Sequence, residues 1–145
     1  MVEGRRFVDF TLPDRYGKEH TLSELIDGKV AVLELWASWC RSCRVNARSF
    51  KPLYEKYGDA GFTVVGVARE YRDKEKWLKA LDMDEYPWLN LVAMEDYHSI
   101  WTLYGTPDAA GHTFLIDEDG FIVKINPSAQ DVEEYLKSIT KQDVK

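Results

Sequence analysis

The chain has 145 residues, 45% of them hydrophobic and 30% charged, with a formal net charge of −6. A domain of this length buries roughly 68–70% of its unfolded surface, so it needs no disulfide staples, and its composition is that of a globular protein rather than a disordered one. An acidic balance without a basic stripe argues against nucleic acid as a partner, and no run approaches the roughly 20 apolar residues of a membrane span.

Met1-Val2-Glu3-Gly4-Arg5-Arg6 lacks the apolar core of a signal peptide. A start placed after a removed signal would look the same. Phe7 to Leu12 alternates and predicts a strand. Pro13-Asp14-Arg15-Tyr16-Gly17 is turn chemistry, and Lys18 to Leu22 returns as a second short strand. Ser23 to Ile26 forms one helical turn, stopped by Asp27-Gly28. Val30-Ala31-Val32-Leu33-Glu34-Leu35-Trp36 is nearly continuous apolar sequence, the pattern of a strand buried on both faces. A helix begins after Cys40 and is expected to reach about Tyr57, with Phe50, Leu53, Tyr54 and Tyr57 on its buried stripe. Pro52 should kink it, and Gly58 is its candidate C′ residue.

Gly61 to Ala68 reads as a second buried strand. Asp73 to Leu81 reads as a helix, with Asp73 as N-cap and Trp77, Leu78 and Leu81 on one face. Tyr86 to Val92 is a break followed by a short extended piece. Glu95 to Tyr104 reads as a helix whose Tyr97, Trp101 and Tyr104 are packing residues. Gly105 to Gly111 is a loop, and His112 to Ile116 a strand. Asp117-Glu118-Asp119-Gly120 is a hairpin turn; its ligand spacing is wrong for calcium. Phe121 to Ile125 is the return strand. Ser128 or Asp131 starts a last helix that faces Val132, Tyr135, Leu136 and Ile139 inward. The polar tail from Lys141 is expected to fray. The order predicts one α/β domain over residues 1–145: three layers, a central mixed sheet flanked by helices, and an added N-terminal β-hairpin.

The only two cysteines are Cys40 and Cys43, where the first apolar strand gives way to a helix. One C-x-x-C cannot be a disulfide framework; it fits a redox pair. Thiolates attack disulfides, and a helix N-terminus favours a thiolate. Cys40 should hold that place as the nucleophile. Cys43, one turn deeper and more buried, should attack Cys40 and release the partner. Arg41 and Ser42 lie between them, and a cation beside the nucleophile should make the pair more oxidising. Glu34 is a carboxylate inside the apolar strand. Buried without an ion partner it should have a raised pKa and could take the Cys43 proton. A Glu34 that faces out, or pairs with a buried Lys, is the structural alternative. Trp36 is assigned to the core and Trp39 to the surface around Cys40.

The competing class is a metal-binding or metal-delivering domain that uses Cys40, Cys43 and His112. It lacks a ligand pair, since His20, His98 and His112 do not have zinc-ligand spacing. A peroxidase would need a lone activated cysteine in a different loop.

The chain resembles thioredoxin-fold proteins, most closely TlpA-like thiol-disulfide oxidoreductases. The resemblance is carried by Phe7 to Leu25, Val32 to Cys43 with its Trp39-Cys40-x-x-Cys43 motif, Tyr54 to Val67, and Thr113 to Gly120. It implies a thioredoxin-like sheet with the dithiol at a helix tip, and exchange with protein thiols and disulfides. It also implies an upstream redox partner, no metal or organic cofactor, and a place in the bacterial periplasm or cell envelope; the cytoplasm also fits the cysteine usage. A monomer is expected. By position Cys40 resembles the nucleophile, Cys43 the resolving cysteine and Glu34 the buried acid. Some relatives use an acid three residues after the second cysteine, which is Asn46 here. The family's cis-proline position falls on Gly111. A non-proline cis bond costs about 2.5–4 kcal/mol, so Ala110–Gly111 is expected to be trans, with Gly111 allowing close approach of a substrate strand. Trp39, Arg41, Ser42, Ala110, Gly111 and His112 are thereby the candidate substrate contacts, and His112 is expected to point away along its strand.

Overall fold

The computed structural model describes residues 1–96 and 99–143. Its centre is β3 (Val30–Trp36), which pairs in parallel with β4 (Phe62–Glu70) and antiparallel with β6 (His112–Ile116). β5 (Asn90–Met94) extends the sheet beside β4, and β7 (Ile122–Ile125) beside β6, giving the order β5-β4-β3-β6-β7. A strand in that position has helices over both faces, and every residue of β3 is buried. A separate hairpin joins β1 (Thr11–Pro13) and β2 (Glu19–Thr21).

The pleat divides the core. Ala31, Leu33 and Leu35 face one side, packing with Val65, Val67, Leu91 and Phe114 under Phe10, Leu12, Leu22, Trp101 and Tyr104. α1 (Leu22–Leu25) and α5 (Ile100–Leu103) lie on that side. Val30 and Val32 face the other, with Phe50, Leu53, Phe62, Val132 and Leu136. Trp36 continues that side with Ala68, Trp77 and Ala80. α2 (Arg41–Arg48), α3 (Lys51–Tyr57), α4 (Glu75–Asp84) and α6 (Ala129–Asp143) supply the covering side chains there. Glu34 shares the parity of Val32 and Trp36, so its carboxyl enters this second layer beneath α2.

Several boundaries differ from the sequence expectation. The predicted strand from Phe7 shrinks to Thr11–Pro13, because Arg6 and Phe7 instead bond to the Gly120–Phe121 turn. The helix after the cysteines is two helices, broken at Ser49-Phe50. Pro52 does not kink a helix interior; it sits in the first turn of α3, where a missing N–H has no intrahelical partner to lose. Gly58 keeps a right-handed conformation and opens one 3₁₀ turn, and Gly61, at φ 90°, makes the left-handed exit. The helix predicted over Glu95–Tyr104 contracts to Ile100–Leu103. Glu95 and Asp96 both take positive φ and turn the chain, and Tyr97 lies outside the described residues. The last helix is capped reciprocally, Ser128 Oγ accepting from the Asp131 amide and Asp131 from the Ser128 amide, and continues to Asp143.

Candidate active site

β3 ends at Trp36, and four residues later the chain enters α2 with Cys40 as its N-cap, in an extended conformation. The Cys40 sulfur accepts a hydrogen bond from the Cys43 amide at 3.3 Å. The Ser42 hydroxyl lies 3.6 Å from the same sulfur. Cys40 and Cys43 are joined in a disulfide with their Cα atoms 5.3 Å apart. Both are half-buried, and the Cys43 side chain packs on the cluster of Trp36, Ala68 and Trp77.

The turn into the helix is held from below by Glu70, a buried carboxylate at the end of β4. Ser38 donates to it twice, from its amide at 2.6 Å and its hydroxyl at 2.5 Å. α2 is held from the side by Asp84. Arg44 reaches that buried carboxylate through Nε at 2.8 Å and Nη2 at 3.0 Å, Arg48 through Nη1 at 2.9 Å, and the Tyr86 hydroxyl donates to it at 2.8 Å. Burial alone would raise the Asp84 carboxyl; bonds from Arg44 and Tyr86 and the charges of Arg44 and Arg48 outweigh that and hold it below its usual value. Arg44 also donates to the Ser38 carbonyl at 3.3 Å, so one side chain ties α4, α2 and the turn together.

Glu34 is 2% exposed and carries no ion pair among the described residues. Burial pushes its carboxyl up to about 8, against the downward pull of hydrogen bonds from Thr113 and Asn46. Thr113 Oγ1 donates to both carboxyl oxygens at 3.0 Å, and Asn46 Nδ2 donates to Glu34 Oε1 at 3.2 Å and to Thr113 Oγ1 at 3.0 Å. The position left without an acid at Asn46 is therefore occupied by a donor to the acid at 34. The register partner of Glu34 on β4 is Gly66, so no lysine answers it from that strand. A Cβ at Gly66 would collide with Asn90, whose Oδ1 accepts from Trp36 Nε1 at 3.1 Å.

Gly111 closes the other side. A Cβ built there would lie 2.5 Å from Cys43 Sγ and 2.5 Å from the Leu35 carbonyl oxygen. The described peptide bonds are all trans. The loop before Gly111 is fixed by Arg69, which donates to the carbonyls of Pro107 at 3.1 Å and Ala109 at 2.7 Å and lies over the Trp101 ring. Ala110 and Gly111 are half-buried. The His112 ring contacts Thr106 at 3.4 Å and Asn126 at 3.1 Å through its two nitrogens, and burial lowers its pKa. Trp39 is 53% exposed beside Cys40, whereas Trp36 is 1% exposed. Arg41 and Ser42 are exposed at the helix tip.

Of the side chains around this turn, the sequence had singled out Cys40, Cys43 and Glu34, and not Glu70, Asp84, Thr113 or Arg69. Glu70 left a usable trace, an acid closing an apolar strand that runs parallel to the one before the cysteines. Among the described residues no three His, Cys, Asp or Glu side chains gather as a metal cage. His20 is bonded to Asp14 instead, and His98 lies outside the described residues.

The disulfide at this helix tip can accept two electrons and become a dithiol, and the dithiol can release them again. Residues 4–125 match the AhpC/TSA family. The chain belongs to the AhpC/TSA family. Among curated relatives of this AhpC/TSA chain is the thiol-disulfide oxidoreductase ResA of Bacillus thuringiensis subsp. konkukian, 29% identical over 97% of the chain and 80% of the relative. Another is the thiol:disulfide interchange protein DsbE of Pseudomonas fluorescens biotype C, 31% identical over 82% of the chain and 63% of that protein. Solved structures agree in fold. The thioredoxin domain of a thiol-disulfide oxidoreductase from Bacteroides vulgatus superposes with a TM-score of 0.85 at 24% identity, covering 96% of this chain and 98% of that one. A thiol:disulfide interchange protein from Bacteroides sp. gives 0.83 at 24%, covering 95% and 90%.

Proposed function

We propose that this AhpC/TSA chain is a thiol-disulfide oxidoreductase that exchanges its Cys40–Cys43 pair with protein thiols and disulfides. The observation that carries the reading is the Cys40 sulfur at the N-cap of α2, accepting the Cys43 amide, with its disulfide partner one turn deeper. In the reduced protein that amide, the Ser42 hydroxyl and the positive end of the helix stabilise a Cys40 thiolate. The thiolate attacks a partner disulfide, one partner sulfur leaves as a thiolate, and a Cys40–partner bond forms. Cys43 then gives up its proton, attacks the Cys40 sulfur, and re-forms the internal disulfide as the second partner thiolate leaves. Two electrons pass to the partner; run backwards, the same steps oxidise a partner dithiol.

Glu34 is the proposed acceptor of the Cys43 proton. With its carboxyl titrating at about 8, a minority of molecules hold at neutral pH the carboxylate that accepts that proton. Its carboxyl meets Asn46, one turn beyond Cys43 on α2. Trp39, Arg41, Ser42 and the Ala110-Gly111-His112 strand entry are the proposed partner contacts. His112 serves there through its backbone, since its ring is engaged with Thr106 and Asn126. By family resemblance the proposed compartment is the periplasm or cell envelope; no helix among the described residues is long and apolar enough to cross a membrane. The deciding experiment is trapping. Cys43→Ser should accumulate partners disulfide-linked through Cys40, and Cys40→Ser should lose turnover. Adducts linked through Cys43 would reverse the assignment.

A further inference from the structure

Glu34 is buried, and in the proposed cycle a proton it takes from Cys43 either returns to Cys43 when the internal disulfide is reduced again or passes to solvent. The partner occupies the Cys40 side of the helix at that moment. The hydrogen bonds of the carboxyl define another way out. Thr113 is itself buried, but Asn46 is half-buried and lines an open groove between α2 and the start of α6, with Arg41, Ser42, Val45, Ser128 and Gln130. The groove holds about 820 Å³, far more than the roughly 30 Å³ share of one water, so it is filled by solvent. One side chain thus has its amide on Glu34 and Thr113 and its flank in bulk water.

We propose that Asn46 is the positioning residue for Glu34, and that its groove is where the buried carboxyl exchanges its proton with solvent. The proposal rests on the reading of Glu34 as acceptor of the Cys43 proton. The charged groups of the surrounding elements are engaged elsewhere. Arg44 and Arg48 of α2 are bound to Asp84, Lys124 of β7 to Asp131 of α6, and Glu133 of α6 to Lys56. His112 of β6 holds Thr106 and Asn126, and Arg41 points into solvent at the groove rim. Cys43, once the disulfide is reduced, is the titratable partner left on that side of α2. What fixes the carboxyl is therefore neutral donors, and a donor to a carboxylate favours its charged form.

Two measurements test this. In the oxidised protein the Glu34 carboxyl is titrated by its ¹³C shift. The native midpoint is expected near 8. Asn46→Ala should move it up by about one pH unit, a tenfold change in acid dissociation, as loss of a charge-assisted bond requires. Asn46→Asp should replace one midpoint by two, one lower and one higher, because two adjacent carboxylates share a proton. In the reduced protein, mixing with an aromatic disulfide releases one aromatic thiolate when Cys40 attacks and a second when Cys43 attacks. Asn46→Leu should leave the first release unchanged and slow the second about tenfold. An Asn46→Ala midpoint that stays in place, or a single midpoint in Asn46→Asp, overturns the proposal. A second release unchanged in Glu34→Gln removes the reading beneath it instead, whatever the Asn46 variants do.

Discussion

Replacing Glu34 by Gln is expected to make the protein more stable at neutral pH. The folded carboxyl titrates at about 8 against a reference value of 4.5. Between those values the folded chain keeps a proton that the unfolded chain has released. Stability is then complete below pH 4.5 and falls as pH rises toward 8. At about 1.4 kcal/mol per pH unit the full window costs about 5 kcal/mol, of which about 3 is lost by pH 7. Gln is neutral throughout, and its carbonyl still accepts from Thr113 and Asn46. Its extra buried N–H costs about 1 kcal/mol, leaving Glu34→Gln ahead by about 2–3 kcal/mol at pH 7, a large share of the 5–15 kcal/mol typical of a domain. The assay is guanidinium unfolding of both oxidised proteins at pH 5, 6, 7 and 8, followed by tryptophan fluorescence. Groups common to the two proteins cancel in the difference. A difference that does not grow with pH would refute the reasoning, because a Glu34 ionised in the folded state produces none.

Gly111→Ala places a methyl against Cys43 Sγ and the Leu35 carbonyl; it should cost about 1–3 kcal/mol, read as a lower melting temperature, and slow disulfide exchange. Asp84→Ala strips Arg44 and Arg48 of their shared carboxylate and should cost about 3 kcal/mol in guanidinium unfolding. Glu70→Ala removes both acceptors of Ser38 and should cost about 2 kcal/mol, with slower attack of Cys40 on a small aromatic disulfide. Ser38→Ala, which loses only the hydroxyl bond, should show a smaller loss in both assays.

The fold was legible where one local signal dominated. The apolar run of Val30–Trp36 and the strand read over His112–Ile116 fell on β3 and β6 to the residue. The helix-turn joining Cys40 to Cys43 was readable from spacing alone. What escaped was set by tertiary partners. Phe7 and Val8 alternate like a strand, yet Phe7 bonds to the Gly120 carbonyl and Val8 exchanges hydrogen bonds with the Tyr104 hydroxyl. Pro52 reads as an interruption until Ser49-Phe50 is seen to end one helix and begin another. In the site, Glu34 stood out because a carboxylate in an apolar strand is costly. Asn46, Thr113 and Asp84 are ordinary polar residues in sequence; only the folding of α2 against β3, β6 and α4 gives them partners. The sequence placed Asn46 as the site of a missing acid, and the structure makes it the neighbour of the acid that is present.

The contact at Gly111 separates two properties that could have shared the same atoms. The feature that crowds the inner sulfur is main chain, set by the closeness of Gly111 to Cys43 and Leu35. The features nearest the outer sulfur are the exposed side chains Trp39, Arg41 and Ser42. Regiochemistry, in the proposed cycle, is thus written in backbone, with help from the Ser42 hydroxyl, and is indifferent to what Trp39 and Arg41 become. Partner preference is written in side chains that can change one at a time. A lineage could retarget such a protein by drift at Trp39 and Arg41 while the order of sulfur attack stayed fixed, and a designer could do the same.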